Sequence, residues 1–213
     1  MKRVIKVRGT ATTSSVADLV QITIDLNSEN LVHSDAMSEL DDKIKQLVDA
    51  LSTTGFTGND LKTSNYSTKV KYNYEKYDDY GNSNKIFDGY ICTQSLNLSF
   101  DFSKEKLNEV LSALSTYTSK LNFYIQFSAK DKSTIKRDLL NAISSDARNR
   151  AEILCSASGV KLGELIEINY NDENYCFNSD TELYSDGAVL SRININPSDI
   201  TISDYAYFTW EII

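Results

Sequence analysis

The chain has almost no histidine, the side chain that most often serves as general base and zinc ligand. Its 213 residues include a single histidine, His33, so both a histidine general base and a histidine-rich metal set are close to excluded. His33 stands at the entry to a helical segment with no second His or Cys at ligand spacing, and it reads as a capping or surface residue. Cys92, Cys155 and Cys176 are odd in number and widely separated, with no CxxC spacing, which argues against a disulfide framework and fits a reducing compartment. Cys92 and Cys155 fall on apolar faces as small core residues. No G-x-S-x-G, G-x-x-x-x-G-K-[ST] or G-x-G-x-x-G spacing occurs, so neither a nucleophilic elbow nor a phosphate cradle is encoded.

Positive charge is also scarce. Acidic residues outnumber basic ones by 30 to 22, for a formal charge of −8, and such a surface repels a phosphate backbone. Nucleic acid is therefore not an expected partner, and the isolated pairs Lys2-Arg3 and Lys136-Arg137 read as solvated faces. Long apolar runs are missing too: nothing approaches the roughly 20 residues of a membrane-spanning helix. The segment Met1 to Gly9 carries charge but lacks the apolar run of a secretory signal. The expectation is a cytoplasmic chain with no membrane span.

What remains is an ordinary globular composition, 41% hydrophobic and 24% charged, in a chain long enough for a full core. It predicts one domain over 1–213. Arg3 to Gly9 alternates Val and Ile with charged residues, and Val20, Ile22, Ile24 and Leu26 recur at every second position, so two strands with one wet face are expected, paired as a hairpin. From Ser34, read as an N-cap, Ala36, Leu40, Ile44, Leu47, Val48 and Leu51 follow helical spacing. A ribbon over about 64–100 comes next: Tyr66, Thr68, Val70, Tyr72 and Tyr74 lead into a turn at Asp78 to Asn84, and Cys92, Gln94, Leu96, Leu98, Phe100 and Phe102 line one face of the return.

A second helix, capped by Ser103, carries Leu107, Val110, Leu111, Leu114 and Tyr117 inward. Leu121, Phe123, Ile125, Phe127 and Ala129 form a further strand. The longest helix runs from about Ser133 to Ser158 with Ile135, Leu139, Ala142, Ile143, Ala147, Ala151, Leu154 and Cys155 as its inner stripe, its alanines suited to close approach, and Gly159 stops it. Leu165, Ile166, Ile168 and Tyr170 begin another strand, and 171–197 reads as a polar, acidic, irregular loop. The last strand keeps Ile200 and Ile202 in register, while Tyr205, Tyr207, Phe208 and Trp210 occupy both faces, as at a bulge or a doubly covered strand. The fold class predicted is α+β: an antiparallel sheet with three amphipathic helices packed on it, in the order β-β-α-β-β-α-β-α-β-β, with a long protruding ribbon.

This ordering resembles the SIMPL-domain family over nearly the whole chain. The likeness is carried by Ile5-Lys6-Val7-Arg8-Gly9 before Val20 to Leu26, by Gly55 and Asp60-Leu61 before the tyrosine-bearing ribbon, and by Ala147, Ala151, Gly159, Leu162 and Gly163 before Ile166. The chain departs from the family pattern in having Ser15-Val16-Ala17-Asp18 where a proline and an acidic residue are usual, and in lacking the export signal of most bacterial members. The resemblance implies a domain without a defined active site. Its relatives are often periplasmic or cell-envelope proteins, associated with oxidative-stress defence or with signalling partners, and some assemble into rings or channels.

The leading expectation is therefore a non-enzymatic interaction protein, a homo-oligomer or a protein binder, with no cofactor and no metal. Its candidate contact residues are Tyr72, Tyr74, Tyr77, Tyr80, Tyr90 and Trp210, since tyrosine and tryptophan combine contact area with a hydrogen-bonding tip. The plainer reading is that these tyrosines are good strand formers. The alternative function is a small-ligand or carbohydrate site using ribbon tyrosines and Trp210 for stacking, with Asp172, Glu173, Asp180, Glu182 and Asp186 of the late loop as a clamp; a solvated acidic loop is the simpler account of those carboxylates.

Overall fold

The computed structural model describes residues 3–74, 85–117, 121–171, 175–186 and 194–213. The elements are β1 (Val4–Ser15), β2 (Leu19–Asn30), α1 (His33–Ser52), β3 (Lys62–Tyr74), β4 (Lys85–Asp101), α2 (Lys104–Ser115), β5 (Asn122–Ser128), α3 (Lys132–Ala157), β6 (Leu162–Asn169), β7 (Asn178–Asp186) and β8 (Ile200–Ile212). The chain is α+β, as its patterning predicts. It forms two antiparallel sheets rather than one, in the orders β1-β8-β6 and β3-β4-β2-β5-β7.

Two compact units contain these sheets: 1–18, 128–180 and 197–213 form the first, and 19–127 with 181–196 the second. The expected β1–β2 hairpin does not form. β1 pairs along its whole length with β8, from Val4 opposite Glu211 to Ser15 opposite Ile200, and β2 pairs with β4. Alternation shows that a strand has one buried face, but it carries no information about which neighbour supplies the ladder bonds. A short turn after β1 suggested the nearest partner, and the last strand of the chain takes that place.

In the first unit β8 is the central strand. Ile200, Ile202, Asp204, Ala206, Phe208 and Trp210 are buried, while Thr201, Ser203, Tyr205 and Tyr207 are exposed. The alternation is strict and the register with β1 unbroken, so β8 is neither bulged against β1 nor covered on both faces, the two arrangements its aromatics suggested; irregularity lies in its pairing with β6, which shifts between Leu162 and Leu165 and again between Leu165 and Glu167. Helix α3 covers the buried face with Leu139, Ile143, Ala147, Ala151 and Cys155. Ala142 and Leu154, placed on its inner stripe by spacing, are exposed, because the line of contact drifts along so long a helix as it crosses the sheet.

The approach of helix to sheet is set by Gly9. A Cβ there would stand 2.3 Å from the Ile143 carbonyl oxygen and 2.7 Å from the Ala147 Cβ. Asp131 caps the helix, accepting from the Thr134 N–H at 2.9 Å and the Ser133 hydroxyl at 2.7 Å. At the other end Gly159 takes φ 71°, the left-handed conformation in which a Cβ is strained.

In the second unit α1 buries Ala36, Leu40, Leu47 and Leu51 against β2 and β4, which supply Val20, Ile22, Ile24, Leu26, Cys92, Leu96 and Leu98. The N-cap of α1 is Val32, without a side-chain bond, and not Ser34. Ser103 caps α2 as expected, accepting from the Lys106 N–H. β7 lies in the stretch read as irregular. Ser179 and Ser185 are buried while Asp180, Glu182 and Tyr184 are exposed, so the strand alternates, but with small polar residues inward that hydropathy does not register.

Two stability outcomes follow. Gly9→Ala forces the α3 backbone away from β1, and the urea midpoint is expected to fall by the equivalent of about 1–3 kcal/mol; an unchanged midpoint overturns the close-approach account. Asp131 has its carboxyl held down to about 2 by the Thr134 hydroxyl and N–H and by Ser133. A carboxylate depressed on folding stabilises above its unfolded value, so its contribution is present above about pH 4 and fades as pH falls toward 2. Asp131→Ala is expected to lower the melting temperature by a few degrees at pH 7 and by much less at pH 2.5, measured by circular dichroism.

Candidate interaction surface

Strand β3 is an edge of the five-stranded sheet, and its side chains are largely uncovered. Tyr66 stands opposite Gln94, Val70 opposite Tyr90, and Tyr72 opposite Phe87, with a register shift between Lys71 and Tyr72. Tyr66, Val70, Tyr72, Ile86 and Phe87 are all exposed. Tyr90 is half-buried, its ring edge-on to Phe87 at 5.4 Å and to His33 at 5.3 Å. His33 therefore serves as a packing partner at the start of α1. Lys71 holds the same region by ion pairs to Glu29 at 2.6 Å and Asp88 at 3.2 Å, which raise its pKa, the Glu29 hydrogen bond foremost.

Of the expected contact residues, Tyr72 and Tyr90 fall on this one surface. Tyr74 pairs through its backbone with Lys85; its side chain, and Tyr77 and Tyr80 altogether, lie outside the described residues. Trp210 is a correction. It is 6% exposed and stacked on Phe208 at 5.5 Å, because the closing strand alternates strictly and position 210 falls on the face that α3 covers. It offers no platform for a sugar or a partner. In the late loop Asp172 and Glu173, and the side chain of Asp186, lie outside the described residues; Asp180 is exposed, and Glu182 accepts from Gln126 at 3.2 Å. Among the described residues no group of three His, Cys, Asp or Glu is placed to hold a metal ion.

The first unit presents a surface that hydropathy reading missed. Residues 164–169 of β6 are exposed without interruption, and they include Leu165, Ile166 and Ile168. Near the end of α3, Ile153 and Leu154 are 67% and 51% exposed. With Lys6, Val7, Arg8 and Arg150 they line an open groove of about 510 Å³ along β1. Arg8 lies 4.0 Å over the Tyr205 ring and Lys6 5.3 Å over Tyr207. Arg150 is paired with Asp146 at 2.9 Å, and the Asp146 carboxylate also accepts from the Thr10 N–H at 2.8 Å. That backbone bond is the main reason its pKa is lowered.

Behind the sheet lies a polar cluster. Asp204, on the buried face of β8, accepts from the Tyr175 hydroxyl and from the Tyr205 N–H, and the Tyr170 hydroxyl bonds to that of Tyr175. Burial, followed by the Asp204 bond, raises the Tyr175 pKa, so this phenol stays protonated and satisfies a carboxylate inside the fold. Lys136 lies 5.6 Å over the same ring.

Across this architecture, a family model described as SIMPL, a protein of unknown function (DUF541), matches residues 5–210. The chain belongs to the SIMPL family. The match spans both compact units. A SIMPL relative, the uncharacterized protein YggE of Edwardsiella ictaluri (strain 93-146), is 24% identical over 179 residues, covering 83% of this chain and 72% of that protein. No described helix is long and apolar enough to cross a membrane.

Proposed function

We propose that this SIMPL protein is a non-enzymatic interaction protein that associates with copies of itself through exposed strand surfaces. The observation that carries this reading is the amount of large apolar and aromatic side chain left uncovered on edge strands: Tyr66, Val70 and Tyr72 on β3, and Leu165, Ile166 and Ile168 on β6. Edge strands in proteins that remain monomeric are usually short, charged or covered. Contiguous exposed apolar surface marks a contact site, and tyrosine is favoured at such contacts because its ring is apolar and its hydroxyl is not.

Light scattering on the eluting protein at high micromolar concentration is expected to give a mass that is a multiple of the chain mass. Replacing Tyr66 and Tyr72 together by serine is expected to weaken the association, lowering the mean mass without loss of helical signal. A strict monomer for the unaltered chain sinks the reading. A panel of metals, sugars and nucleotides is expected to leave the melting temperature unmoved, since a ligand specific for the folded state must raise it.

A further inference from the structure

The two edges of the three-stranded sheet carry opposite charge. β1, Val4–Ser15, contains Lys6 and Arg8 and no acidic residue; β6, Leu162–Asn169, contains Glu164 and Glu167 and no basic one. Both strands run antiparallel to β8, so they are parallel to each other and lie at opposite ends of one sheet.

The hydrogen-bonding direction along β1 can be read from two bonds. The Arg3 carbonyl accepts from the Ile212 N–H of β8, whereas the Thr10 N–H donates away from β8, to Asp146. In an antiparallel ladder successive residues point alternately to the partner strand and away from it. Lys6 and Arg8 therefore share the outward direction of Thr10. Asp146 occupies the edge at Thr10, and the stretch from Lys6 to Arg8 opens onto the groove lined by Ile153, Leu154 and Arg150.

The faces also match. Residues opposite one another in a ladder share a face. Leu165 and Ile168 oppose Trp210 and Phe208, on the side that α3 covers, while Glu167 opposes Thr209, on the side where Lys6 and Arg8 lie over Tyr207 and Tyr205. The two register shifts in β6 produce this arrangement, because a bulge turns the following side chains to the other face.

We propose that β6 of one copy adds as a parallel strand to the open edge of β1 in a second copy, continuing the sheet from molecule to molecule. Leu165 and Ile168 then meet Ile153 and Leu154 at the end of the second copy's α3, and Glu167 joins Lys6 and Arg8 on the other face. The contact is head-to-tail, so it generates a ring or an open chain of subunits. This inference rests on the self-association proposed above and adds the surface and its polarity.

The experiment uses the full chain with Tyr66 and Tyr72 replaced by serine, so that contacts through β3 are weakened. In that background the protein is expected still to associate in sedimentation velocity. A groove variant, Ile153→Lys with Leu154→Lys, and a strand variant, Glu167→Lys with Ile168→Lys, change exposed residues and leave the two altered surfaces with like charge; each alone is expected to be monomeric, with affinity down at least tenfold and an unchanged circular dichroism spectrum. Mixed in equal amounts they are expected to form a dimer that grows no further, since the pair retains one intact groove and one intact strand. A monomeric background chain, a variant that keeps the background mass, or a mixture that stays monomeric overturns the sheet-edge contact and leaves self-association standing. A monomeric unaltered chain overturns both.

Discussion

The contact of Gly9 with the backbone of α3 governs how the smaller sheet is covered. With no side chain at that point, the helix comes close enough for its alanines to rest on β1 and β8. One long helix covers only a strip about two strands wide. Because α3 is drawn to the β1 side of the sheet, β6 keeps its apolar residues in solvent, and the last turns of α3 leave Ile153 and Leu154 beside an open strand edge. The exposed residues of β6 to which the proposed function appeals are thus a consequence of where the helix is allowed to pack.

The larger sheet follows the same logic with a different outcome. α1 and the inner strands bury an aliphatic core, and the aromatic side chains of β3 lie at the edge beyond it. A two-stranded extension from a sheet has too little neighbouring surface to hide large rings. Tyr72 and Phe87, beyond the last β2–β4 pair at Asn30 and Tyr90, remain exposed for that reason, and Tyr66 is exposed on the edge strand itself.

Much of the fold was legible because burial and spacing agree. The stripes of α1 and α2, the inward faces of β2, β4 and β5, and the buried Cys92 and Cys155 stand where periodicity places them. The partner of β1 was not legible, since alternation is blind to which strand lies alongside. β7 escaped notice because Ser179 and Ser185 occupy its buried positions, and Leu183 is the one large apolar residue on that face. Trp210 was misplaced for a related reason: a run of aromatics suggested two apolar faces, whereas Tyr205 and Tyr207 are on one face and Phe208 and Trp210 on the other.

By itself the sequence determined the α+β class, the three helices and their inner faces, and the scarcity of histidine, because each of these depends on local spacing or on composition. Only the tertiary structure decided that β1 and β8 share a ladder, that the helices divide between two sheets, and that a basic edge and an acidic edge lie at opposite ends of one of them. Those are relations between segments up to two hundred residues apart, and the free energy that selects among them resides in long-range packing and hydrogen bonding that no local pattern contains.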